Sequence, residues 1–409
     1  MSLLTPRLRA GVDSPRAWLT VVATFASSFI TLGTAYSFGA FFTSMADEFD
    51  STRGATAVVF GLTTFSFFWL SLLTGRATDL WGPRPVLAFG SVAYLVAMLA
   101  TSRVQSLAAG YLTIGLGVGI AAATGYIPMV ATVGGWFERH RAAAIGLAVA
   151  GIGAGTLVLS PLSAALIDRV GWRDTYVILG LVGFAVLMVS TILVDRPPGQ
   201  TGRQPSRLGF AARSAVFRRL WSSALCSGLA LFVPFVFVGQ YAKERGVGAV
   251  SAAVLVGVLG GSSVVSRIGF GALVRRFGSF TLYQLSFVLI ASSFLVWFIA
   301  GRSYPALLAF AVVLGVGYGG FVALSTIVMA ERLGVAGLGS ILGLFYTSQG
   351  LGGLVGPPAA GWLIDRTDSY RPVIVICFAL VVAARLLLIG LPTNGRGGLM
   401  PEPQAKRSA

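Results

Sequence analysis

Two arginines stand where arginine is expensive. Arg267 and Arg385 are the only ionisable side chains set well inside the long apolar runs of this 409-residue chain; all 14 Asp and Glu residues lie at run ends, in connectors or in the tails. Arg267 precedes the first basic residue beyond its run, Arg275, by 8 positions. In a helix rising ~1.5 Å per residue that is about 12 Å of depth, near the middle of a hydrocarbon layer about 30 Å thick. A guanidinium there costs at least about 2.5 kcal/mol and must find an acceptor. With no embedded carboxylate to answer it, the carboxylate of a ligand is the natural partner, held as a two-pronged fork. Gly260, Ser263, Val264 and Gly271 share its helical face and would leave a ligand room. The competing assignment is an arginine bonded to backbone carbonyls of a neighbouring run, or one that snorkels. Arg385, 7 residues before Pro392, is within snorkelling reach.

The other polar tips at middle depth are Tyr36, Tyr126, Tyr318, Tyr346 and Gln349. A buried tyrosine hydroxyl needs a partner, which a substrate oxygen or a backbone carbonyl can supply. Gln240 and Tyr241 fall near a run end and suit a rim or gate. Metal and cofactor chemistry has no foothold: there is one His, and both cysteines, Cys226 and Cys377, sit in apolar runs as small core residues. No paired Asp, His-Glu-x-x-His or Ser-Lys group lies at depth, so no enzyme is expected, and neither is a metal or cofactor.

The elements that must carry these residues follow from composition. The chain is 56 % hydrophobic and 11 % charged, against about 25 % charged in soluble domains. Apolar runs span about 17–44, 55–74, 85–101, 106–135, 142–166, 175–194, 220–242, 248–274, 279–300, 304–330, 336–364 and 372–392. Each is long enough to cross a bilayer as a helix. The reading is an all-α membrane protein of twelve transmembrane helices. The first run lacks a cleavage signal and reads as a retained helix. One set of loops and tails carries 19 Lys/Arg and the opposite set 9. The basic side faces the cytoplasm, which puts both termini there, in the plasma (cytoplasmic, cell inner) membrane. The net charge of +16 is thereby a topology signal and not a nucleic-acid footprint.

An internal repeat organises the runs. Residues 143–169 and 340–366 match at 11 of 27 positions without gaps, including Gly153/Gly350, Gly155/Gly352, Pro161/Pro358 and the Leu-Ile-Asp-Arg ends. Gly75-x6-Gly82 and Gly271-x6-Gly278 agree at nearly the same offset. Partners six runs apart imply two parallel six-helix repeats around a central cavity. The divisions are an N-terminal half (1–194), a cytoplasmic linker (195–219), a C-terminal half (220–392) and a cytoplasmic tail (393–409). Pro161, Pro234 and Pro357-Pro358 can kink their helices, and the dense glycines read as close packing.

The segment Gly75-Arg76-Ala77-Thr78-Asp79-Leu80-Trp81-Gly82-Pro83-Arg84 resembles the loop 2–3 signature of the major facilitator superfamily. The resemblance covers nearly the whole chain. It implies gating roles for Gly75, Asp79, Gly82 and Arg84, with Gly75 packing the helix end closely and Asp79 near a helix N-terminus. The second copy departs, placing Arg275 where the Asp would stand before Gly278. Trp136-Phe137-Glu138-Arg139-His140-Arg141 running into Gly146, Gly151 and Gly155 is similar to monocarboxylate transporters and oxalate/formate antiporters. Ser266-Arg267-Ile268-Gly269-Phe270-Gly271 resembles the helix 8 arginine of the former. That resemblance implies substrate contact by Arg267, Tyr36, Tyr126, Tyr318, Tyr346, Gln349 and Ser263, the last standing where such transporters carry an acid. The implied activity is alternating-access transport of a small monocarboxylate of the lactate/pyruvate type, by proton symport, anion exchange or facilitation. The partners are the organic anion, protons where coupled, and lipid, with a monomer sufficient. The rival is a major facilitator efflux pump for another small organic solute or drug. The antiporters carry Lys where Gln349 stands, and one cation suits a monoanion. Oxalate should therefore compete poorly in a transport assay in which lactate or pyruvate competes well.

Overall fold

The computed structural model describes residues 11–198, 213–333 and 338–391; most of the expected linker and all of the expected tail lie outside them. An apolar run in hydrocarbon must satisfy its own backbone groups, and the chain is built of helices accordingly. They are α1 (Pro15–Tyr36), α2 (Phe38–Glu48), α3 (Arg53–Trp81), α4 (Pro83–Thr101), α5 (Leu107–Gly110), a π-helical turn pair (Tyr111–Val118), α6 (Gly119–Gly125), α7 (Ile127–Trp136), α8 (Arg141–Leu193), α9 (Ala215–Leu231), α10 (Val233–Lys243), α11 (Ala249–Phe277), α12 (Ser279–Ala300), α13 (Tyr304–Leu333), α14 (Leu338–Thr367) and α15 (Arg371–Leu386). Among the described residues, nine helical segments are long and apolar enough to cross a membrane by length and composition.

One of these, α8, has 53 residues. A straight helix of that length would run about 80 Å, well over twice the hydrocarbon thickness. It is two helices end to end: Gly171 has φ 82°, a left-handed conformation that glycine adopts without penalty. The expected runs 142–166 and 175–194 fall on either side of it. Left-handed residues recur along the chain at matching intervals. Asp50 and Gly246, and Gly82 and Gly278, stand 196 positions apart, and Gly171 and Asp368 stand 197 apart.

Two expected boundaries move. The linker does not extend to Arg219, because α9 already begins at Ala215. Arg219 has a structural task there: its Nε donates to Leu387 O at 3.0 Å, and a second guanidinium nitrogen donates to Ile389 O. These carbonyls follow the end of α15, where the helix leaves acceptors unsatisfied. The last run, expected to reach 392, ends as helix at Leu386.

Glycines set how closely the helices approach. A Cβ on Gly151 would lie 2.2 Å from Phe25 O, and one on Gly155 2.2 Å from Phe29 O, so α8 rides directly on the backbone of α1. The same seam joins α14 to α9: a Cβ on Gly352 would meet Gly228 C at 2.5 Å, and one on Gly356 would meet Leu229 O at 2.1 Å. Two further seams cross between these pairs. In one, α3 meets α14, with Gly54 against the Trp362 backbone and Gly61 against Leu354 O; in the other, α8 meets α11 through Gly153 and Gly260. Such contacts are how helices associate where water supplies no drive. Gly75 is different: nothing lies within 4 Å of a Cβ built there, so the close packing expected of it is absent. Gly155→Val should lower thermal stability of the purified protein by about 1–3 kcal/mol or more through overpacking. Gly75→Ala should leave its melting temperature unchanged.

Candidate functional site

Three long helical segments break beside one cavity. Ser37 separates α1 from α2, Phe232 separates α9 from α10, and Tyr126, with φ −121° and ψ −79°, separates α6 from α7. Proline helps at two of them: Pro234 and Pro128 sit just past the breaks and remove a backbone donor. Tyr36, Phe232 and Tyr126 beside these breaks all line one cavity of about 30 Å³, room for about one water. Its wall is completed by Phe67 and Phe68 of α3, Ile152 of α8, Tyr318 and Phe321 of α13, and Tyr346 and Gln349 of α14. Five of the seven side chains expected at the site, namely Tyr36, Tyr126, Tyr318, Tyr346 and Gln349, are thus brought together from distant parts of the sequence. Tyr36 and Tyr318 hydroxyls lie 3.3 Å apart. Gln349 Nε2 donates to Ala224 O at 2.6 Å.

Arg267 lies one ring behind this wall. Its guanidinium carbon is 5.7 Å from the centroid of the cavity-lining Tyr318 ring, and the residue is 7 % exposed. Nη1 donates to Val149 O at 2.8 Å. Nε and Nη2 are buried without a hydrogen-bond partner. Among the described residues no carboxylate pairs with it. The structure therefore contains part of the competing assignment, a backbone carbonyl, and leaves two donors open. A buried charged donor without a partner is costly.

Ser263 departs from its expected place. It is 0 % exposed, and its hydroxyl donates back to Gly260 O at 2.7 Å. The room expected beside Arg267 is filled by neighbouring helices. A Cβ on Gly153 would lie 2.4 Å from both Gly260 O and Val264 Cγ2, and one on Gly319 would lie 2.2 Å from Ser263 O. Small residues on this face bring α8 and α13 each into contact with α11 and do not open a pocket.

The expected gating residues hold their own neighbourhood. Arg84 Nε donates to Val194 O at 2.7 Å, and its Nη2 lies 3.4 Å from Asp195. Asp79 sits in the last turn of α3, not at a helix N-terminus, and Arg196 donates to its backbone oxygen at 3.3 Å. Gly82 and Gly278 take left-handed φ values between consecutive helices, and Arg275 is exposed in the last turn of α11. Nearby, Asp13 accepts backbone N–H groups of Glu138, Arg139 and His140 at 3.1–3.4 Å, which hold its carboxyl below the usual range.

Sequence reasoning missed a latch at the opposite ends of the helices. Arg53 of α3 reaches Glu244 at 3.0 Å and Asp365 at 3.4 Å. Asp365 also accepts the Gly54 N–H at 3.1 Å, and Tyr370 donates to Glu244 at 2.6 Å. Thr43 donates to Gln240 Oε1 at 2.7 Å, and Gln240 Nε2 donates to Gly39 O at 3.2 Å. Asp47 and Asp168 lie within Coulombic reach of Lys243. The signal that could have found the latch was in the repeat itself, whose matching Leu-Ile-Asp-Arg ends carry Asp168 and Asp365. The aromatic wall of Phe67, Phe68, Phe232 and Phe321 was also missed, since phenylalanine in an apolar run carries no mark of its own.

Residues 24–357 match the family model described as Major Facilitator Superfamily. The chain belongs to the major facilitator superfamily. It is 29 % identical to monocarboxylate transporter 11 of Mus musculus, over 98 % of this chain and 96 % of that protein, and 29 % identical to its Homo sapiens counterpart, over 98 % and 92 %. It is likewise 29 % identical to monocarboxylate transporter 3 of Rattus norvegicus, over 94 % and 81 %. A multi-pass membrane transporter, not an enzyme, is what these matches and the apolar helices indicate.

The ion pairs of the latch are about one-third exposed, which limits each to about 1 kcal/mol. Arg53→Ala, which removes both pairs, should raise the population open on that side by up to about thirtyfold. The check is labelling of a cysteine placed at Ile152, in a background lacking Cys226 and Cys377, by a thiol reagent added from that side.

Proposed function

We propose that this protein is an alternating-access carrier for monocarboxylates, with Arg267 as the group that receives the carboxylate. The observation that carries this reading is the pair of open donors on a buried guanidinium one ring from a cavity. Nε and Nη2 form the edge of the fork that a carboxylate fills bidentately. The names of the relatives, monocarboxylate transporters, agree with this ligand. Tyr126, Tyr346, Tyr36, Tyr318 and Gln349 surround the body of the substrate.

Twelve transmembrane helices form two parallel six-helix repeats about this site. The paired left-handed residues, the paired glycine seams and the paired breaks at Ser37 and Phe232 support that arrangement. In this topology both termini are cytoplasmic in the plasma membrane, 195–214 links the halves, and the Arg53 latch faces outward. The state described is closed on the outside, and its cavity is too small for an organic acid. Substrate entry requires the halves to rock apart, with the segment of Gly75, Asp79, Gly82 and Arg84 and its counterpart at Arg275 and Gly278 at the cytoplasmic edge of that motion. With Ser263 in the place of an acid, a coupled proton would travel with the substrate or through neutralisation of Arg267, and anion exchange and facilitated passage require no proton.

The test is uptake of labelled pyruvate into proteoliposomes. Arg267→Ala should reduce it at least about thirtyfold, the effect of truncating one member of a buried charge pair, with normal membrane insertion. Undiminished saturable uptake by that variant would remove Arg267 from the site.

A further inference from the structure

We infer that the carboxylate taken by this site carries an apolar body, an alkyl or aryl chain, and that a 2-hydroxyl weakens its binding. This deepens the reading of Arg267 as the carboxylate receptor and rests on it. Beyond the guanidinium, what the cavity offers a ligand is mostly carbon. Phe68 lies nearly parallel to Tyr346, with ring centroids 5.8 Å apart and planes 18° apart, and Phe232 stands 6.3 Å from Phe68. Phe67 packs beside Tyr126 at 6.0 Å. Of the five polar side chains in this wall, three make hydrogen bonds within the protein, and among the described residues the Tyr126 and Tyr346 hydroxyls beside them make none. Tyr36 and Tyr318 face each other, and Gln349 spends its amide donor on Ala224 O.

The chemistry then sorts carboxylates by their bodies. Each methylene moved from water into such a wall tightens binding by about fourfold. A hydroxyl buried there without a dedicated partner weakens it at least about fivefold. Ring faces also accept a flat aryl group in offset or edge-on packing. A second carboxylate or an ammonium has no counter-charge among the lining residues.

The experiment is titration calorimetry on the purified full-length protein with acetate, propionate, butanoate, pentanoate, 3-phenylpropanoate and lactate. The dissociation constant should fall about fourfold per methylene until the site opened by the rocking halves is filled, and lactate should bind at least about fivefold more weakly than propionate. Phe68→Ser should flatten the series, whereas Phe68→Leu, which keeps the wall apolar, should preserve it. Should Phe68→Ser not insert, Phe321→Ser serves the same purpose. A flat series, or lactate equal to propionate or tighter, with all binding lost in Arg267→Ala, overturns this inference and leaves the carboxylate reading standing. Binding that survives Arg267→Ala, or no binding of any acid in the panel, overturns both.

Discussion

A single buried guanidinium with two unanswered donors organises the interpretation of this molecule. Charge in hydrocarbon must be compensated locally, because no water is at hand to do it. Arg267 receives one backbone oxygen, from Val149, and nothing for Nε and Nη2. A carbonyl satisfies one N–H but neutralises no charge. An anion would do both, and Tyr318, beside the guanidinium, borders the cavity.

The surrounding architecture keeps that site narrow. Helices pass at backbone contact along glycine seams, so the walls are set by glycines that leave no room for a Cβ. Where the helices are interrupted, at Ser37, Tyr126 and Phe232, with proline just past the latter two, an aromatic ring at or beside the break stands against the cavity. Tyr36, Tyr126 and Phe232 line the site because their helices end beside them. Local backbone geometry and cavity lining are thus one feature.

The contacts across the bundle are unevenly distributed along its length. At one end Arg53, Glu244, Asp365 and Tyr370 join α3 to the far helices, and Gly54 sits against the Trp362 backbone. At the other end the described polar contacts of Arg84, Arg196 and Asp13 stay within one run of helices. Exposed ion pairs contribute little each. The glycine contacts contribute more when closed, since they depend on a fit that any displacement destroys.

Hydrophobic run length, charge placement and an internal match were legible in the sequence because each is a property of order along the chain. They pointed to the helical class, the approximate extent of most runs and the singular position of Arg267, for which bilayer thickness and helical rise suffice. The family was legible too, through short charged segments between runs. What the side chains touch was not. Ser263 shares a face with Arg267 on any helical wheel, yet α8 and α13 occupy that face, and only the packing of three helices reveals it. Gly75 carries the family spacing without the expected close contact. The phenylalanines of the cavity are indistinguishable in sequence from those facing lipid, because inward and outward faces of a membrane helix are both apolar. The Arg53 latch joins residues 191 and 312 positions apart. Sequence could price a charge in the bilayer, since that cost depends on depth alone; which partners meet it depends on neighbours, and neighbours are decided by the fold.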